Sequence, residues 1–106
     1  MANSPVYPNQ SKQFMLIPFS TTATIGDNAL NIEVNLSSFV PTDYSLVGFV
    51  SINIGTYPLP YMAGSGTNSR FTSVSHIYSN GLIKIDNTAS GWGSSTISGV
   101  MVVQHS

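Results

Sequence analysis

The sequence predicts an all-β domain, a small sandwich or jelly-roll-like fold of about six strands behind an extended N-terminal arm. Three observations predict it. Val, Ile, Leu, Phe and Tyr alternate with Ser, Thr and Asn in short stretches, the period of a strand with one buried face. Clusters of Gly, Pro, Asn and Asp punctuate those stretches where turns would fall. No segment keeps a helical period for longer than a turn, and no apolar run reaches membrane-spanning length.

Residues 1–13, MANSPVYPNQSKQ, set Pro5 and Pro8 among Asn, Gln and Ser and read as an extended arm. Pro5, Tyr7 and Pro8 are its candidate docking residues, against a neighbouring chain or the domain's own sheet. Residues 14–106 then form a single β domain. Its pattern opens with QFMLIPF, where Pro18 cannot donate to a ladder and so marks an edge strand or a bulge. Gly26-Asp27-Asn28 supplies a turn. Residues 29–37 alternate cleanly, with Leu30, Ile32, Val34 and Leu36 on one face and Asn31, Glu33, Asn35 and Ser37 on the other.

Residues 39–43 connect to the long run 44–54, which is apolar on both faces at Leu46, Val47, Phe49 and Val50. Such a run predicts a central strand covered on both sides, with Gly48 marking a bulge or a close backbone approach. Residues 55–69, GTYPLPYMAGSGTNS, combine prolines, glycines and tyrosines in what reads as an irregular loop. Residues 71–78 form a strand, Asn80-Gly81 signals a type I′ hairpin, and residues 82–86 return with Ile83 and Ile85 on one face. A second loop, NTASGWGSS over 87–95, precedes the closing strand at 96–104.

Composition bounds what this domain can do. Only 7% of the chain is Asp, Glu, Lys or Arg, against about a quarter in ordinary soluble domains. Hydroxyls and amides must therefore supply its solvation. Lys12, Arg70 and Lys84 are scattered singletons in a chain of net charge -1, which lacks the basic footprint that a phosphate backbone requires. Nucleic acid is therefore not an expected partner. With 106 residues and no cysteine to staple them, extra burial by self-association into a homo-oligomer is expected. The N-terminus lacks a basic start followed by an apolar stretch, so synthesis in a cytoplasm without membrane insertion is expected.

The residues that carry catalysis are thinly spread. His76 and His105 share no ligand spacing, and Asp27, Glu33, Asp43 and Asp86 each stand alone, without DxD, ExxH or an EF-hand loop. Neither Gly64-Ser65-Gly66 nor Gly91-Trp92-Gly93-Ser94 forms a G-x-S-x-G elbow, and no Gly-rich loop leads into a phosphate-binding helix. No catalytic residue, metal site or cofactor is assigned. Contact residues are easier to name. Trp92, the single tryptophan, lies between glycines, where it either stacks on a ligand or folds back to cap the β core. Tyr57 and Tyr61 flank Pro58-Leu59-Pro60 and present a stiffened platform together with Trp92, or else Tyr57, Leu59 and Met62 seal a subunit interface.

Four stretches, YSLVGFVSINIG, YPLPYMAGSG, YSNGLIKIDNTAS and STISGVMVVQ, together give residues 44–104 a resemblance to the small C-terminal β modules of tailed-bacteriophage tail-fibre and baseplate receptor-binding proteins. Such modules are typically trimeric, nearly uncharged and bind host-surface saccharide through aromatic and polar loop residues. The resemblance implies a non-enzymatic virion structural protein whose partners are its own copies, neighbouring virion proteins and a host glycan. The Pro-containing arm also resembles that of capsid decoration (cement) proteins, which clamp shell subunits. A free lectin-like carbohydrate-binding domain is the third expectation.

Overall fold

The computed structural model describes residues 13–64 and 69–106. Pro5, Tyr7 and Pro8 lie outside the described residues. Gln13, the last residue of the expected arm, is already tied to the sheet, since its carbonyl accepts a 2.8 Å hydrogen bond from the His105 N–H.

Eight strands build two antiparallel sheets. In chain order they are β1 (Phe14–Ile25), β2 (Ile32–Asn35), β3 (Tyr44–Ile54), β4 (Tyr57–Pro58), β5 (Tyr61–Ala63), β6 (Arg70–Ile77), β7 (Leu82–Ala89) and β8 (Gly93–His105). One sheet has the order β1-β8-β3-β4 and the other β2-β7-β6-β5. First strand pairs with last and second with second-last, the nesting of a jelly roll. The remaining strands close as local pairs, β3 with β4 and β5 with β6. The core lies between the sheets. Phe19, Ile25, Leu46, Ile52, Ile54, Ile97, Met101 and Val103 meet Val34, Leu36, Ile83 and Ile85 there, all buried. The expected all-β sandwich is therefore the observed fold.

β1 runs at a sheet edge, which is why Pro18 is tolerated opposite Val100 with no ladder bond to lose. Its alternation is unbroken: Met15, Ile17, Phe19, Ala23 and Ile25 face the core. In β3 the apolar residues Leu46, Phe49 and Ile52 recur every three positions, which a regular strand would send to alternate faces. Register shifts between Leu46 and Gly48 and between Phe49 and Ser51 bring all three to the core side. The bulge expected near Gly48 is thus present, with a second at Val50. The expected cover on both faces is not: Val47 and Val50 are 46% and 63% exposed.

Three boundaries differ from expectation. Residues 29–31 do not join β2, because Asn31 adopts φ 58, a left-handed conformation that ends the ladder and leaves Leu30 exposed, and residues 36–37 leave it at the other end, where a 3-10 turn over Ser37–Phe39 begins. The stretch 55–69 is not wholly irregular, since β4 and β5 lie within it. Between them the chain crosses from one sheet to the other through a cis Leu59–Pro60 bond. The loop expected at 87–95 shrinks to three residues as β7 and β8 extend into it.

The hairpin at Asn80-Gly81 forms with a different turn. Only Gly81, at φ 99, has positive φ, whereas type I′ needs it at both central residues. The Tyr78 carbonyl accepts from the Gly81 N–H at 3.0 Å and the Tyr78 N–H donates to the Leu82 carbonyl at 2.9 Å. That is a tight turn over Ser79-Asn80 closed by a glycine bulge, a three-residue hairpin loop. Docking explains the choice, because a Cβ on Gly81 would sit 2.7 Å from Ser37 Cα.

Candidate functional site

The interior of the sandwich changes character toward the end where β5, β6 and the β7–β8 turn meet. Along β7 the inward positions are Ile83, Ile85 and then Asn87; along β6, Thr72 takes the corresponding inward place. Both polar residues are fully buried, so each must find partners within the protein. The Thr72 hydroxyl donates to Asn87 Oδ1 at 2.6 Å. Asn87 Nδ2 donates to the carbonyls of Gly26 at 2.8 Å and Ser90 at 3.0 Å. Thr72 Oγ1 in turn accepts from the indole Nε1–H of Trp92 at 2.8 Å.

The neighbouring loops are locked in register with this network. Asn28 exchanges hydrogen bonds with Ala89, through its own N–H at 2.9 Å and its side-chain oxygen at 2.6 Å. Asp27 Oδ1 accepts from the Gly91 N–H at 2.6 Å, and Asp86 Oδ1 accepts from the Asn31 N–H at 2.7 Å. The Trp92 N–H itself donates to the Ile25 carbonyl at 2.8 Å. Two of the four carboxylates are thus spent on fixing backbone.

Trp92 is consequently half-buried, held at its indole N–H and its backbone, and packed against the core. It caps the β core, and it is also the floor of an aromatic cluster. Its ring centroid lies 5.6 Å from that of Tyr57 and 5.1 Å from that of Tyr61, and the two tyrosines are 5.1 Å apart. The structure therefore brings together all three contact residues expected from the sequence. Tyr57 reaches the cluster from the end of one sheet and Tyr61 from the edge of the other, because the crossing through Leu59–Pro60 falls between them. Tyr57 is the accessible member, 48% exposed.

Arg70 completes the cluster and was legible only as an isolated cation. It opens β6 opposite Ala63 and Ala89, and its guanidinium carbon lies 4.1 Å from the Trp92 ring centroid, within cation–π range. Tyr57, Tyr61, Ala63, Gly64 and Arg70 surround a recess of about 310 Å³. That volume is at the small end of ligand sites, which run from about 300 to 1,000 Å³. Asn87 and Thr72, which hold the floor in place, also escaped sequence reading. The signal for Asn87 was present: it continues the alternation of Ile83 and Ile85 by one step.

A second recess of about 320 Å³ opens between β3 and β6, lined by Phe49, Ile52, Leu59, Pro60, Val74 and Ile77, with Ser73 as its one hydroxyl. It is almost wholly aliphatic and aromatic and offers little to orient a polar ligand. On the outer face of the β1-β8-β3 sheet, Phe14, Leu16, Val47 and Val50 are exposed beside the half-buried Val100 and Val102. Among the described residues, no three His, Asp or Glu side chains gather as metal ligands. No family model, curated protein or solved structure matches the chain, so the chemistry of the aromatic recess and of this apolar face is what bears on function.

Proposed function

We propose that this chain is a non-enzymatic attachment module of a phage virion, which self-associates as a trimer and contacts host-surface saccharide at the recess lined by Tyr57, Tyr61 and Arg70, with Trp92 packed behind them. The observation that carries the saccharide reading is the convergence of two tyrosine rings and one guanidinium on a small open recess, all three packed against the ring of Trp92. Pyranose rings have an apolar C–H face and a hydroxyl rim. A partly exposed tyrosine ring meets the first, and phenol and guanidinium groups meet the second. The virion assignment rests on the resemblance of residues 44–104 to receptor-binding modules.

Self-association is supported by the exposed apolar band across β1, β3 and β8, since a contiguous patch of that kind marks an interaction surface. The same band favours a second reading, capsid decoration, in which shell subunits cover it and the arm clamps a neighbour.

The test is glycan-array binding by the full chain and by Tyr57→Ala, followed by calorimetry on the best binder. Tyr57 is the clean position because truncating it leaves the buried network untouched. Wild-type binding reduced at least about tenfold in Tyr57→Ala is the expected result. Binding that survives the substitution unchanged would remove the recess from the account.

A further inference from the structure

The recess holds a charge without a counter-charge, and that narrows the ligand it suits. Among the described residues Arg70 is its single cationic group, and no Asp or Glu forms an ion pair with it. Asp27 and Asp86 are engaged with the backbone N–H groups of Gly91 and Asn31. Stacking on Trp92 uses one face of the planar guanidinium and leaves its in-plane N–H donors available. Such a fork matches a carboxylate, which it can take with two parallel hydrogen bonds.

The guanidinium is also held in place before any ligand arrives. Trp92 beneath it is fixed by Thr72, and Thr72 by Asn87, so the stack rests on a fully hydrogen-bonded buried chain. An arginine already positioned loses less freedom on pairing than one free in solution. Across the recess, the ring of Tyr57 is exposed and that of Tyr61 half-exposed, so a sugar ring lying against Tyr57 brings a ring substituent within reach of Arg70.

Resting on the saccharide reading above, we propose that the recess selects an acidic saccharide, one whose sugar ring bears a carboxylate. Arg70 pairs with the carboxylate and Tyr57 packs against the ring. At about 310 Å³ the recess suits a single acidic sugar residue, terminal or exposed in a chain, rather than a long run of them.

The experiment uses matched ligands on the full chain: sialyllactose against lactose, and oligogalacturonic acid against its methyl ester, alongside an array of neutral and acidic glycans. The expected result is binding of at least one acidic glycan, weakened about tenfold to a hundredfold when the carboxylate is absent or esterified. Arg70→Gln abolishes that preference, Arg70→Lys restores it only in part, and added salt weakens the acidic ligand alone. The esterified ligand on wild-type protein keeps the test valid even where an Arg70 variant folds poorly. Equal binding of acidic and neutral partners, or of neutral glycans only, overturns the acidic preference and leaves the saccharide site standing. Binding of no glycan on the array overturns both.

Discussion

Asn87 is fully buried, and its amide satisfies three groups at once: it accepts from Thr72 and donates to the carbonyls of Gly26 and Ser90. Removing it strands a buried hydroxyl and two carbonyls, and each unsatisfied group carries a desolvation cost. Asn87→Ala is therefore expected to lower stability by about 2–4 kcal/mol, read as a reduced urea midpoint at constant slope. Trp92→Phe keeps an aromatic ring beneath Arg70 but gives up the hydrogen bond to Thr72. Its expected cost is smaller, about 1 kcal/mol, with the indole signal lost and the fold intact by circular dichroism. Trp92 could be picked out from sequence as a large aromatic in a glycine-rich setting. Its partner Arg70 could not, because nothing local to either residue says that β6 and the β7–β8 turn meet.

Among the described glycines, Gly81, Gly91 and Gly99 leave no room for a Cβ, and two of them fix how strands meet. Gly81 closes its hairpin at φ 99 and leaves no room for a side chain beside Ser37. Gly81→Ala should therefore destabilise by about 2 kcal/mol or more, through strain and through displacement of the segment before residue 40. In the middle of β8, a Cβ on Gly99 would run into the Ser51 carbonyl of β3. Gly99→Val is expected to open the β3–β8 pairing, seen as faster amide exchange along β3 while β6 and β7 keep their protection. The strands themselves were legible in outline: β7 from Ile83 and Ile85 on one face, and β2 as the middle of the cleanly alternating stretch 29–37. What was not legible came from backbone geometry. The two bulges of β3 turn a three-residue spacing into one face, and the left-handed Asn31 cuts short a strand whose side-chain pattern continued past it. In β4 and β5 a proline-rich stretch pairs for only two or three residues on each side of the crossing, too short for periodicity to register.

Over the whole molecule, the apolar face and the aromatic recess lie apart. The outer face of the β1-β8-β3 sheet is apolar near Leu16 and Val50 and grades into Ser and Thr along the far halves of β1 and β8. The aromatic recess lies at the end of the sandwich formed by the first residues of β6 and the β7–β8 turn, so the apolar face can be covered while the recess stays open. Light scattering on the full chain is expected to give a trimer, and Val50→Asp, at a residue 63% exposed in the single chain, to give a folded monomer. A monomeric wild-type chain would favour the decoration reading, with shell proteins covering that face. The sandwich could be anticipated from composition and period alone, whereas the meeting of Tyr57, Tyr61, Arg70 and Trp92 depends on how the two sheets are joined.

The most direct test of the recess is an NMR titration that follows the indole N–H of Trp92, the only tryptophan in the chain, with glycans that bind by calorimetry. A saturable shift of that resonance with an acidic saccharide, at the calorimetric affinity, is expected, because the ligand would press on Arg70, which lies over the ring, and on Tyr57, which packs against it. Calorimetric binding that leaves the indole resonance where it was would place the saccharide elsewhere on the protein and rule out the recess as its site.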